Sequence, residues 1–282
     1  CDNNFIYYTP DMVDWGREKF MKHLIQNNNV GLVVPKLNKE DNCFFISKNI
    51  IAHKLVSVYD SNSIFPLYLY NDENSLTNER TPNLNLEIVK EIEDKLNLQF
   101  VNEKIQNSEL NIQNSTFAPI DILDYIYAVL HSPNYRETYK EFLKIDFPRV
   151  PYPNIKTFWS LVELGGKLRQ IHLLEDSSLD KRIIDICGEG SLEIVNKLNK
   201  KDFKIEDDKV TLNINSEVSI INIPLVAWEF YIGGYQPAQK WLKDRVDRTL
   251  SRADMKHYNK IINALVKTDE TMKKIDEVLD EY

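Results

Sequence analysis

Apolar residues along this chain change their period several times, and each change marks an element. Residues 118–175 carry the clearest signal: three helical patterns joined by two proline breaks. Ile122, Leu123, Ile126, Tyr127 and Leu130 recur at helical spacing, with Pro119 near the start, where a missing N–H costs nothing. Ser132 followed by Pro133 reads as an N-cap and a first-turn proline, so a second helix starts there and runs to about Leu143. Pro148, Pro151 and Pro153 fix φ over the next stretch and exclude both a helix and a central strand. Asn154 is placed to cap a third helix carrying Phe158, Leu161, Leu164, Leu168 and Leu173.

On the N-terminal side the pattern shortens to strands. Residues 5–8, 30–34 and 43–46 read as strands, and 54–59 and 64–70 as β-rich runs. A helix over 15–25 places Phe20, Met21 and Leu24 on one face. Two polar connectors, 71–86 and 102–115, flank a helix over 87–98 with Ile88, Ile92 and Leu96 inward and its acids outward. Beyond the helical centre, 181–186 reads as a strand and 192–198 as a short helix. Residues 203–206, 210–214 and 218–223 form a small antiparallel sheet, turning at Asp207-Asp208 and Asn215-Ser216. Gly233-Gly234 separates two short helices. Ser251 and Asp254 have the spacing of a capping box. The long helix that follows aligns Tyr258, Ile261, Ile262, Leu265, Met272, Ile275 and Leu279. The expected class is mixed α+β: short strands at the N-terminal end, a helical centre, a small antiparallel sheet near 203–223 and a long C-terminal helix.

Composition narrows the function classes. The 43% hydrophobic and 11% aromatic content of 282 residues supports a packed core rather than a disordered chain. No apolar run approaches the roughly 18 residues a spanning helix needs, and no signal peptide is present. Cys1, Cys43 and Cys187 have neither metal-ligand spacing nor a disulfide framework, which fits a reducing cytoplasm. The chain opens on Cys1 rather than Met. It reads as a fragment of a longer polypeptide; a processed, lipid-modified cysteine is the alternative. A net charge of −8 counts against nucleic-acid binding by the whole surface but leaves room for a local basic face.

Several segments carry candidate chemistry. In 183–191, IIDICGEGS, an acid after a strand precedes G-x-G, which resembles the S-adenosylmethionine loop of methyltransferases. The spacing from Asp185 to the first glycine is one residue short of that form. No Asn-Pro-Pro-Tyr or Asp-Pro-Pro-Tyr motif accompanies it, so it reads as a turn. Glu206, Asp207, Asp208 and Lys209 supply nuclease residue types but fall at a hairpin tip. None of His23, His53, His131, His172 and His257 pairs with another at i, i+4, and no nucleophile elbow or Walker loop occurs. No catalytic motif is visible in the chain itself.

A binding surface remains. From 240 to 260, Lys240, Lys243, Arg245, Arg248, Arg252, Lys256 and Lys260 outnumber Asp244, Asp247 and Asp254. Tyr235 and Gln236 precede this block on the Gly-Gly break. Glycine permits a close backbone approach, Gln can read adenine bidentately, and Arg can read guanine or clamp a phosphate. Arg149, held among prolines, is a second candidate, because rigid presentation loses little entropy on binding. The competing interpretation is a solvated helix whose ion pairs are worth under about 1 kcal/mol each.

The strings DYIYAVLHSPNYRETYKEFLKIDFPRVPYP, FWSLVELGGKLRQIHLL, YIGGYQ and KWLKDR resemble the C-terminal specificity region of type ISP restriction-modification enzymes and, more loosely, adenine-specific DNA methyltransferases. FIYYTP, NNVGLVVP, IFPLYLY, Arg248, Asp254 and Tyr258 extend the resemblance over nearly the whole chain. It implies a target recognition domain that reads double-stranded DNA. The parent polypeptide would carry upstream adenine N6-methyltransferase, nuclease and translocase parts that use S-adenosylmethionine, ATP and Mg²⁺. On this basis residues 1–86 continue an upstream methyltransferase part, and 87–282 form the recognition domain. The expected DNA-facing residues are Arg149, Tyr235, Gln236, Lys240, Lys243, Arg245, Arg248 and Arg252, although the readers could equally lie in the 176–223 sheet. Two alternatives stay open: a structural module packing methyltransferase against translocase without touching DNA, and a stand-alone methyltransferase.

Overall fold

A computed structural model describes residues 8, 17–25, 28–40, 42–52, 54–55, 61–71, 80–103 and 115–281. The strand expected at 5–8 (Tyr8 apart), the start of the helix at 15–25, the run at 56–59 and most of the two polar connectors lie outside the described residues. The class is mixed α+β, as expected. In chain order the elements are α1 (Glu18–Met21), β1 (Gly31–Pro35), β2 (Phe45–Ser47), β3 (Asn62–Pro66), β4 (Tyr68–Tyr70), β5 (Arg80–Pro82), α2 (Leu86–Leu96), β6 (Gln99–Phe100), β7 (Thr116–Phe117), α3 (Pro119–His131), α4 (Pro133–Thr138), α5 (Lys140–Leu143), α6 (Phe158–His172), β8 (Asp185–Cys187), β9 (Phe203–Glu206), β10 (Lys209–Asn213), β11 (Ser219–Pro224), α7 (Leu225–Glu229), α8 (Pro237–Lys243) and α9 (Arg252–Asp280).

The chain folds into two compact units. One, here the α3 unit, takes its described residues from Asn3–Lys39, Cys43–Arg169 and Met272–Tyr282. The other, the β10 unit, is built mainly from Gln170–Thr271.

In the α3 unit, β2, β1 and β3 form an antiparallel sheet with Val33 opposite both Phe45 and Ile64. Leu24, Val33, Cys43 and Ile64 make its core. The single run expected over 64–70 is two strands in two sheets. The break comes at Leu67, because the Asn29 side chain takes the place of a strand neighbour: Nδ2 donates to the Tyr68 carbonyl (2.8 Å) and Oδ1 accepts the Tyr68 N–H (3.2 Å). Helix α2 starts where Asn85 accepts from the N–H groups of Glu87 and Ile88, and stops where Asn97 turns left-handed at φ 52°. Its buried stripe is Val89, Ile92 and Leu96, at i, i+3 and i+7. Ile88, expected inward, lies one position off that stripe and is exposed.

Helix α3 is the centre of this unit and is buried on nearly every side. Ile126 is only half-buried, and Tyr125 is buried in its stead. Pro119 opens the helix, and the Asp121 carboxylate accepts the Ala118 N–H (2.9 Å). Ser132 caps α4 by accepting from Tyr135 (2.9 Å) and donates to Asp276, whose carboxylate also accepts the Asn134 N–H. An anion there meets the positive end of the helix. The helix expected to continue to Leu143 breaks at Tyr139 into α4 and α5. Asn154 caps a turn, and α6 follows from Phe158.

The β10 unit carries a four-stranded antiparallel sheet, β8-β11-β10-β9. Asp207 and Asp208 form the β9–β10 turn with φ of 48° and 58°, the left-handed pair that a two-residue hairpin needs. Asn215 closes the β10–β11 turn by accepting from Glu217 and Val218. The strand expected over 181–186 is confined to β8, because Asn259 and Asn263 of α9 hold the backbone of Lys181 and Asn259 that of Ile183. The helix expected over 192–198 is absent. Ile194 donates to the Arg248 carbonyl (3.0 Å), Leu250 donates to Leu192 (3.0 Å), and Val195 and Asn196 both donate to Ile214. These partners hold the segment extended. Ser251 and Asp254 form the expected reciprocal cap of α9, Asp254 N–H to Ser251 Oγ at 3.1 Å and Ser251 N–H to Asp254 Oδ2 at 2.8 Å.

Candidate nucleic-acid interface

Around α3 the buried Asp121, Asp124 and His131 side chains are each hydrogen-bonded. Asp124 on α3 is buried and held by a two-pronged Arg169 from α6, Nε at 2.7 Å and Nη2 at 2.9 Å. Gly165 lets the two helices cross at that point: a Cβ there would stand 1.8 Å from the Asp124 carbonyl oxygen. The Tyr125 and Tyr135 hydroxyls donate to the carbonyls of Pro151 (3.1 Å) and Arg149 (3.0 Å). Burial pushes both phenols up to about 12, so each remains a donor throughout the physiological range. They pin the proline segment, and the Phe65 and Phe147 rings meet edge to face at 5.7 Å. Arg149 is thereby fixed at its backbone while its side chain is exposed. Lys144, five residues before it, is paired with Glu141 at 2.6 Å.

In the β10 unit Gly233, at φ 57°, closes the Ile232–Tyr235 turn through hydrogen bonds of 2.8 and 3.1 Å. Tyr235 and Gln236 are half-buried there. The amides of Gln236 (3.5 Å) and Gln239 (3.1 Å) both point at the Trp228 carbonyl. Helix α8 then packs through Trp241, which stacks on Tyr258 at 5.1 Å and supports the Arg245 guanidinium 3.7 Å from its ring. Arg245 also donates to the Trp241 carbonyl (3.0 Å), so its charge doubles as a packing group. Lys240 pairs with Asp244, and Lys256 and Lys260 each lie 3.4 Å from Asp180. Lys243 reaches Gln239 at 3.5 Å and, among the described residues, no carboxylate. Arg248 and Arg252 are exposed, and among the described residues no side chain bonds them.

The other candidate segments resolve into structure. Gly188, at φ 108°, lies where a Cβ would stand 2.0 Å from the Glu217 carbonyl, and no helix follows it. The segment therefore does not fit an S-adenosylmethionine loop. Glu206, Asp207, Asp208 and Lys209 sit at the β9–β10 tip, and among the described residues no group of three or more His, Cys, Asp or Glu side chains is placed to hold a metal. His131 donates from Nδ1 to the Tyr127 carbonyl (2.8 Å). His172 Nε2 lies 2.9 Å from Thr268 Oγ1, whose own proton goes to Ala264, so the imidazole donates. Burial lowers its pKa to about 4.

A family model, the Type ISP C-terminal specificity domain, matches residues 2–277. The chain belongs to that family. No curated protein matches it in sequence. Several solved structures resemble this specificity domain. A nuclease-deletion mutant of the Type ISP restriction-modification enzyme LlaGI in complex with a DNA substrate mimic is 20% identical over 89% of this chain, with a TM-score of 0.56. The ATP-dependent Type ISP restriction-modification enzyme LlaBIII bound to DNA is 18% identical over 91%, also with a TM-score of 0.56. A DrdV–DNA complex is 17% identical over 98%, with a TM-score of 0.66. This chain spans only 21%, 16% and 27% of those proteins. At such identities the likeness is one of fold. The strings that carry the resemblance are largely frame: Asp124, Tyr125, Ser132, Gly165 and Arg169 in the α3 unit, and Trp241, Arg245 and Tyr258 in the β10 unit.

Proposed function

We propose that this specificity domain reads a DNA target sequence as part of a restriction-modification enzyme. The rest of that polypeptide would supply adenine N6-methyltransferase and ATP-driven restriction activities, with S-adenosylmethionine, ATP and Mg²⁺ bound outside this chain. The observation that carries the reading is the family match over residues 2–277. The DNA-bound state of the three solved relatives supports it. Within the chain, Arg248 and Arg252 are exposed and unpaired among the described residues, with Lys243 close to them in sequence. Arg149 is the corresponding group of the α3 unit. Lys240 and Arg245 contribute by holding α8, and Tyr235 and Gln236 by shaping the turn before it.

Selection of bound duplexes from a random-sequence pool, using the full polypeptide that carries this chain, tests the reading. One short enriched sequence is expected, with recovery falling in the Arg248→Ala/Arg252→Ala variant. A pool that stays random favours a packing module that does not touch DNA, whereas enrichment indifferent to both arginines moves the contacts to other residues of the polypeptide.

A further inference from the structure

The extended segment 192–201 joins a second run of positive charge to Arg248. Two residues, Asp247 and Arg248, share one partner across this pairing: Asp247 donates to the Ile194 carbonyl at 2.8 Å, while Ile194 donates to the Arg248 carbonyl at 3.0 Å. Two residues against one is a β-bulge, and Asp247 takes the left-handed conformation, φ 63°, of the first residue in the G1 form of bulge. Bulges re-aim the side chains beside them, and Arg248 is exposed here. The opposing strand is anchored along its length. Glu193 bridges Thr249, Asn196 donates its amide to the Asn213 carbonyl (2.9 Å), and Ile194 is wholly buried.

The chain then makes a second strained turn. Leu198 is buried with φ 55°, a conformation a leucine adopts only when its surroundings impose it. A 3-10 turn, Lys200–Asp202, follows, in which the buried Asp202 carboxylate accepts the Asn199 N–H (2.7 Å). Phe203 next packs on Trp228 at 5.2 Å. Lys197, Lys200 and Lys201 are therefore carried on a backbone fixed before, within and after them. All three are exposed, and among the described residues no carboxylate pairs with them. Of the two acids in 192–202, Asp202 is buried in its cap, while Glu193 is exposed and meets Thr249 through its backbone, so the three lysines still outnumber the exposed acid. In a chain of net charge −8, three unpaired lysines on a rigid turn are an unusual local surplus.

We propose that Lys197, Lys200 and Lys201 form, with Arg248, one phosphate-contacting surface that grips the DNA backbone and sets the position of the domain without reading sequence. This rests on the DNA-recognition reading above. Ammonium groups suit that role, being compact point charges rather than planar forks. Backbone contacts position a protein on a duplex but carry no sequence information directly. A fixed backbone under the charges lowers the ordering cost of binding.

The test is a salt titration of duplex binding by the full polypeptide carrying Lys197→Gln, Lys200→Gln and Lys201→Gln together. Each lost phosphate contact lowers the slope of log K against log salt by about 0.9, so a drop of about 2–3 is expected. The selected sequence should not change, and the Lys→Arg version of all three should restore the slope. An unaltered slope and affinity in the Gln variant, with binding still lowered by Arg248→Ala/Arg252→Ala, overturns the lysine surface and leaves DNA recognition standing. Binding unaltered by either set overturns both the lysine surface and the role given to Arg248 and Arg252.

Discussion

Two regions of the molecule handle charge in opposite ways. Around α3, polar side chains face inward and are saturated: Asp124 by Arg169, Asp121 by the Ala118 N–H, and Tyr125 and Tyr135 by backbone carbonyls. Around the 192–201 and 240–252 segments, Arg248, Arg252 and the three lysines face water without carboxylate partners among the described residues. A buried ion pair adds little net stability, but losing one partner strands the other. An exposed lone cation costs the fold nothing and remains available to a phosphate. The contrast separates residues that maintain the fold from residues proposed to meet a ligand, even where both kinds occur in one recognisable string.

Substitutions at the Asp124–Arg169 pair press on that contrast hardest. Arg169→Ala removes the guanidinium that holds a buried carboxylate and should destabilise the protein by about 3–5 kcal/mol in denaturant unfolding, while per-molecule DNA affinity of the folded fraction stays the same. Gly165→Ala should cost about 3 kcal/mol or more, because its Cβ meets backbone rather than a movable side chain. A loss below about 1 kcal/mol in either variant would mean that the helix crossing is not the frame described here.

The β10 unit has its own buried dependency. His172 is held neutral, with its pKa lowered to about 4 by burial, against about 6.5 in an unfolded chain. The unfolded state therefore binds more protons between those values. Stability from this group is complete above pH about 6.5 and is lost as pH falls towards about 4, by up to about 3 kcal/mol. Unfolding measured across that window should show the acid leg in the parent and a flatter profile in His172→Gln, where an amide keeps a donor for Thr268. Smallest of all should be the effect of Arg248→Ala/Arg252→Ala on unfolding, within about 0.5 kcal/mol, since among the described residues the fold uses their backbone and not their side chains.

Legibility in the sequence follows the range of the interactions. The Ser132-Pro133 start, the Asp207-Asp208 turn, the Gly233-Gly234 break and the Ser251–Asp254 cap are read correctly because each is complete within four residues. The 192–198 segment has helical spacing, yet its backbone partners are Ile214 and 248–250, which no local period records. The split at Leu67 depends on Asn29, and the choice of Val89 over Ile88 on a one-position offset of the α2 stripe. The candidate interface shows the same division. Arg248 and Arg252 stand out in a basic run, whereas Lys197, Lys200 and Lys201 join them only through a pairing about fifty residues away in sequence. Composition hides that pairing altogether.

The central claim is that the exposed cations of the β10 unit, and not the frame, contact DNA. Binding of a duplex by the full polypeptide, followed against salt in the parent and in Arg248→Ala/Arg252→Ala, tests it most directly. Two lost phosphate contacts predict a slope shallower by about 1.8, with unfolding unchanged. Superimposable salt lines for the two proteins would contradict the account.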